Sequence, residues 1–154
     1  MLKRLFPDRI DNVFPGQILA LWLFGALVTL RGLMSVNCIF RGAYVAVHAD
    51  GVPLQTFPAA AARIIVDDFA TWGLMQLMLC LLSVLVLVRY RAMVPLMLFI
   101  FLLEHVGRKM IFAAQPIVTD AGAPGSWVNL IIFTVEIAGL ALALWPRRDR
   151  QIAA

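Results

Sequence analysis

Charge is scarce in this chain: of its 154 residues only 14% are Asp, Glu, Lys or Arg, while 62% are hydrophobic. The mean hydropathy is +0.90. Soluble domains run at about 25% charged and about 45–50% apolar, so a water-soluble fold would lack the polar surface to cover its own bulk. Ligands for metals are equally few, with two cysteines, Cys38 and Cys80, and two histidines, His48 and His105. These four show no ligand spacing, so no metal site is expected. Haem ligation by His48 and His105 has no motif behind it. Cys38 and Cys80 fall at helix depths that differ by more than the roughly 7 Å a disulfide spans, and read as small buried hydrophobes. No Gly-rich phosphate loop is present, and no nucleophile elbow surrounds Ser35, Ser83 or Ser126, so no motif indicates an enzyme. The net charge of +4 comes from Lys and Arg at the borders of apolar runs. They form no basic stripe, which argues against nucleic acid as a partner.

Uninterrupted apolar sequence is what the chain has in abundance. About 20 apolar residues cross a bilayer as a helix, and four such spans are predicted, at about 16–40, 58–88, 92–112 and 126–145. Pro15 and Pro58 suit the first turns of the first two. Arg89-Tyr90-Arg91 leaves room only for a tight turn, making the second and third antiparallel neighbours. Pro124-Gly125 precedes Ser126 as N-cap of the fourth, and Pro146 stops it. Trp127 and Trp145 lie about 27 Å apart along that helix and mark its two interfaces. Residues 1–154 are therefore expected to form one all-α integral membrane domain, a four-transmembrane-helix bundle.

Lys3, Arg4 and Arg9, then Arg89 and Arg91, then Arg147, Arg148 and Arg150 fall on one side of a four-span chain. That side is expected to be cytoplasmic, with the termini N-in/C-in. The start of the chain imitates a signal peptide, but no Ala-x-Ala-like site follows Ile18–Leu30, so an uncleaved first helix is expected. Tyr44-Val45-Ala46-Val47-His48 before Asp50-Gly51 has the pattern of a small extracytoplasmic β-hairpin between helices 1 and 2. Gly25, Thr29 and Gly32, or Gly139 and Ala143, offer small surfaces for helix packing.

Polar residues within the spans gather in one layer. The first span carries Arg31, Ser35, Asn37 and Arg41, and the second Arg63, Asp67, Asp68 and Thr71. The third carries Glu104, His105, Arg108 and Lys109, and the fourth Asn129 and Glu136. All lie between the bilayer centre and the outer surface, whereas the cytoplasmic half holds only Gln76, Cys80 and Ser83. Ionisable groups in a span usually face a bundle interior or an aqueous cavity. Glu104 and Arg108 are spaced i, i+4, as are His105 and Lys109. Arg31 shares its depth with Glu104 and Glu136 and is expected between two carboxylates. Asp67 and Asp68 point about 100° apart, so one is expected to face the bundle and the other the headgroups.

Three functions remain open. An outward-facing pocket lined by Arg31, Asn37, Asp67, Glu104, His105, Arg108, Asn129 and Glu136 would bind an amphipathic or polar small molecule. A structural or assembly factor would use the same charges only to register its helices. A proton-coupled transporter or membrane enzyme would use Glu104 or Glu136. The pocket is favoured because the ionisable groups outnumber what one registering pair requires.

Arg31-Gly32, Asp67-Asp68, Trp72-Gly73-Leu74 and an apolar run ending at Arg89 together resemble the DoxX-like group of small bacterial four-helix membrane proteins. The likeness covers about residues 25–100, and the third-span segment Leu103–Lys109 has no counterpart in it. It implies a bacterial inner (plasma) membrane and an accessory, redox-linked role, with quinone the cofactor to consider beside haem, and it transfers no catalytic residue. The expected partners are the lipid bilayer and other membrane subunits or a second copy of the chain.

Overall fold

The computed structural model describes residues 2–7, 9–114 and 124–146. It is built from a short helix α1 (Leu2–Leu5) and four long ones, α2 (Ile18–His48), α3 (Ala59–Arg89), α4 (Val94–Ala114) and α5 (Gly125–Leu144). Two single 3-10 turns, Leu54–Thr56 and Arg91–Met93, serve as connectors. α2, α3 and α5 are long and apolar enough to cross a membrane. α4, with 21 residues, has the length of a span but carries Glu104, Arg108 and Lys109.

Each long helix buries one narrow stripe. On α2 it runs Ala20, Phe24, Leu27, Val28, Arg31, Ser35, Cys38, Gly42 and Ala46; on α5 it is Ile132, Glu136, Gly139 and Ala143. Steps of three and four keep a helix face turned inward. The outer faces are apolar too, with Phe40 80% and Trp22 74% exposed. Large apolar surface of this kind is costly in water and suits a lipid surround.

α2 is central. It packs most extensively on α3 and next on α5, while α4 packs chiefly on α5 and only lightly on α3. Gly73 lets α3 close on α2, since a Cβ there would stand 2.7 Å from the Cβ of Cys38 and 2.9 Å from the Ser35 carbonyl oxygen. Gly139 meets Leu98 across the α4–α5 contact, whereas Gly32 faces open space. Cys38 and Cys80 are buried free thiols.

Backbone contacts tie the ends together and fix an alternating course. At one end the Gln17 amide donates to the Leu142 carbonyl (3.1 Å) and the Ala92 amide to Asp11 (3.3 Å). There Arg4 Nη1 also donates to the Leu144 carbonyl at 2.8 Å, satisfying an acceptor that the end of α5 leaves open. At the other end the Gly125 amide donates to Ala49 at 2.9 Å. The core nearer the first end is apolar: Phe24, Leu27, Val28, Met97, Leu98 and Phe101 are all buried, and the rings of Phe24 and Phe101 lie 6.1 Å apart.

The expected β-hairpin is overturned: Tyr44–His48 is the last part of α2, and no strand occurs among the described residues. The helix bends at Arg41 (φ −134°, ψ 34°) and continues. Arg41 lies 4.4 Å from the Tyr44 ring centroid, and Tyr44 stacks on His48 at 4.3 Å. An isolated two-stranded ribbon is marginal, and Pro53 would remove a donor from the returning strand. Continuing the helix keeps these amides bonded. Gly51, at φ 67°, supplies the reversal that Asp50-Gly51 signalled.

Candidate functional site

Arg31, Glu104, His105, Arg108 and Glu136 meet near the midpoints of α2, α4 and α5. Arg31 Nη2 lies 3.0 Å from Glu104 Oε2 and 2.8 Å from Glu136 Oε1, so the guanidinium stands between the two carboxylates. His105 Nδ1 is 3.2 Å from Glu136 Oε2, and Arg108 Nε is 3.5 Å from Glu104 Oε1. The result is a chain of side chains, Arg108–Glu104–Arg31–Glu136–His105, joining three helices. Two guanidinium groups balance two carboxylates. Exposure falls along it, from 27% at Glu104 and 20% at Arg108 to 4% at Arg31 and none at Glu136 and His105.

Local helical structure positions each member. One turn above Arg31 the Ser35 hydroxyl donates to the Arg31 backbone carbonyl at 2.7 Å, a bond within α2 that does not reach the guanidinium. From below, the ring of Phe101 lies 4.5 Å from the Arg31 guanidinium carbon, a cation–π contact strengthened by exclusion of water. His105 packs against Phe133 with centroids 5.0 Å apart. Arg108 reaches across the thin α3–α4 seam to the Trp72 ring at 5.2 Å, and its Nη2 donates to Asn129 Oδ1 at 3.4 Å.

Hydrogen-bonding capacity in this cluster exceeds what the described residues fill. Arg31 Nη1, both ring nitrogens of His105, Arg108 Nε and both carboxylate oxygens of Glu136 are buried without an aligned hydrogen-bond partner. Glu136 is nevertheless in close polar contact through both oxygens, 2.8 Å from Arg31 Nη2 and 3.2 Å from His105 Nδ1. Four of these six atoms still lie within 3.5 Å of a polar partner; buried polar groups are normally satisfied, so the remaining two, Arg31 Nη1 and His105 Nε2, require a cause. Beside them lies a cavity lined by Arg31, Ser35, Cys38, Trp72, Gln76, Arg108 and Asn129, together with Met34, Gly73 and Ile132. Its room is about 20 Å³ measured by water centres, enough for one water.

Of the eight residues expected to line a site, six converge here: Arg31, Glu104, His105, Arg108, Asn129 and Glu136. Asn37 and Asp67 do not. Asn37 is exposed on α2, and its side-chain amide donates to the Leu33 carbonyl at 3.1 Å. Asp67 and Asp68 are both exposed, which corrects the expectation that one faces the bundle. α3 meets α2 through Val66, Phe69 and Gly73, and helical phase turns both aspartates away from that face. His48 is exposed near the end of α2, 17 residues and about 25 Å beyond Arg31, so the two histidines occupy different layers.

Trp72, Gln76, Ser35 and Cys38 belong to the cavity without having been singled out for it. Their signal was spacing: Ser35 and Cys38 repeat the Arg31 face, and Gln76 lies one turn beyond Trp72. Asp50 lies outside that cavity but is brought to the start of α5 by the tertiary fold. Its Oδ1 lies 2.7 Å from where a Cβ of Gly125 would stand, at the opening of α5, where helix amides and dipole favour a carboxylate. Burial pushes the Asp50 carboxyl above its ordinary range, and Arg108 pulls in the opposite direction. Among the described residues no group of three or more His, Cys, Asp or Glu side chains is arranged to hold a metal ion.

No protein-family model, no curated protein and no solved structure matches this chain.

Proposed function

We propose that the chain is a four-span protein of the bacterial inner membrane with both termini in the cytoplasm, and that its buried charge cluster binds the polar group of an amphipathic or polar small molecule. The observation that carries this reading is that Arg31 Nη1 and His105 Nε2 are buried without a hydrogen-bond partner among the described residues, and that Arg31 lines a cavity shared with Ser35, Gln76, Arg108 and Asn129. Helix registration needs less. Gly73 against Cys38 and the Phe24–Phe101 contact already lock the helices by shape, and a buried ion pair is an expensive way to repeat that constraint.

The same arrangement supports a topology and a side of access. Arg4, Arg9, Arg89 and Arg91 lie toward the end where the N-terminal segment meets the end of α5, which favours that end as cytoplasmic. The apolar core around Phe24 and Phe101 lies on that side of the cluster, which favours access from the outer side and, among the described residues, leaves little polar lining toward the cytoplasm. That argues against proton-coupled transport. The cavity itself has room for about one water, so a polar group reaching Arg31 would displace that water and part the α3–α4 seam, which Trp72 and Arg108 bridge and where the rest of the molecule would lie.

Native mass spectrometry of the protein extracted with surrounding lipid tests the reading. The wild type is expected to carry a stoichiometric small molecule that Arg31→Met and Glu136→Gln each release while the fold persists. Folded variants that keep the molecule, or a wild type that carries only a protein partner, would replace the binding function with assembly.

A further inference from the structure

A second concavity, of about 430 Å³, runs between α4 and α5. Its walls are apolar, formed chiefly by Val106, Met110, Leu130 and Phe133, and its polar residues are Lys109 and Asn129. Asn129 lines both this groove and the inner cavity, and its Oδ1 accepts from Arg108. Lys109 lies five residues before the end of α4 and Asn129 four after the start of α5. Both are therefore about 6–8 Å below the helix ends. Trp127, 68% exposed at the same end of α5, marks the depth at which indoles meet lipid headgroups.

Charge distinguishes this groove from ordinary lipid-facing surface. Glu104 is taken up by Arg31 and Arg108, and Glu136 by Arg31 and His105. Lys109 has no carboxylate within 4 Å among the described residues, and the nearest charged side chain in sequence, Arg108, has the same sign. An ammonium with no counter-charge among the described residues, beside an apolar groove at headgroup depth, is met by an anionic oxygen carried on an apolar body, and the bilayer supplies that combination.

We infer that the α4–α5 groove binds one anionic glycerophospholipid. An acyl chain lies against Val106, Met110, Leu130 and Phe133, and the phosphate lies on the Lys109 ammonium, with Asn129 as a second polar contact. The groove shares only Asn129 with the inner cavity, and its phosphate contact, Lys109, lies outside the Arg31 cluster, so it stands whether or not that cluster holds a ligand.

The test uses the full chain in bilayer discs containing equal amounts of phosphatidylglycerol and phosphatidylcholine, released for native mass spectrometry. One phosphatidylglycerol is expected to remain bound per chain, with phosphatidylcholine retained less. Lys109→Gln should weaken phosphatidylglycerol retention by about fivefold, and Leu130→Trp should displace the lipid by filling the groove. Both substitutions change exposed side chains, and a thermal unfolding curve checks the fold; were Leu130→Trp to misfold, Lys109→Gln still decides. Equal retention of the two lipids, or undiminished retention by folded Lys109→Gln, would overturn the inference.

Discussion

Replacing Arg31 with Met keeps the length of the side chain while removing the one cation that touches both carboxylates. Glu104 would retain Arg108 at 3.5 Å and is 27% exposed, so part of its charge stays solvated or paired. Glu136 would retain no cation except a protonated His105, inside a site with no exposure. Breaking a buried pair by deleting one partner typically costs about 3–5 kcal/mol, or about two to three and a half decades in the folding equilibrium. The loss belongs mainly to the stranded Glu136 carboxylate, so adding Glu136→Gln should recover a substantial part of it. A double-mutant cycle, measured by reversible unfolding in mixed micelles, is expected to return a coupling of about 1–3 kcal/mol. Arg31→Met that unfolds within about 1 kcal/mol of wild type, or two substitutions that add to within about 0.5 kcal/mol, would refute the placement of a buried cation between these carboxylates.

Asp50 yields a prediction with a pH sign. Because burial raises its carboxyl above the unfolded value, its contribution is fully present below about pH 4 and is lost as pH rises through the higher folded value. Asp50→Asn keeps the neutral form, so it should match wild type in acid and become the more stable of the two toward neutrality; the opposite trend in a pH series of unfolding curves would show that the carboxylate is favoured at the start of α5. Gly73→Ala places a Cβ 2.7 Å from the Cβ of Cys38 and should destabilise the α2–α3 contact by about 1–3 kcal/mol, read as a drop in the unfolding midpoint. Phe101→Ala removes both the ring under Arg31 and the partner of Phe24, at an expected cost of about 3–5 kcal/mol. A smaller loss than that of an exposed control such as Trp22→Ala would contradict its role in the core.

Long apolar runs and their punctuation made four helices legible, because helix length in a bilayer is set by simple thickness. Depth was legible as well: counting residues put Arg31, Glu104 and Glu136 at one level, and their side chains do meet. Phase was harder. Which way Asp67 and Asn37 turn depends on where α3 touches α2, and that contact is decided by Gly73 and its neighbours. Asp50 escaped notice because its place at the opening of α5 is a tertiary contact between loops distant in sequence. The hairpin expectation misread Tyr44–His48, whose alternation suits a strand, although a helix already under way needed no new partner to satisfy its amides. The charged residues 147, 148 and 150 and the connection at 115–123 lie outside the described residues.

A density map at side-chain resolution, recorded with the protein in a lipid bilayer disc, addresses the cluster most directly. It should show the Arg31 guanidinium between Glu104 and Glu136, with density for a non-protein group bonded to Arg31 Nη1 inside the bundle. Carboxylates turned outward to lipid headgroups, or an Arg31 whose free nitrogen is met entirely by protein, would contradict a binding role for this layer.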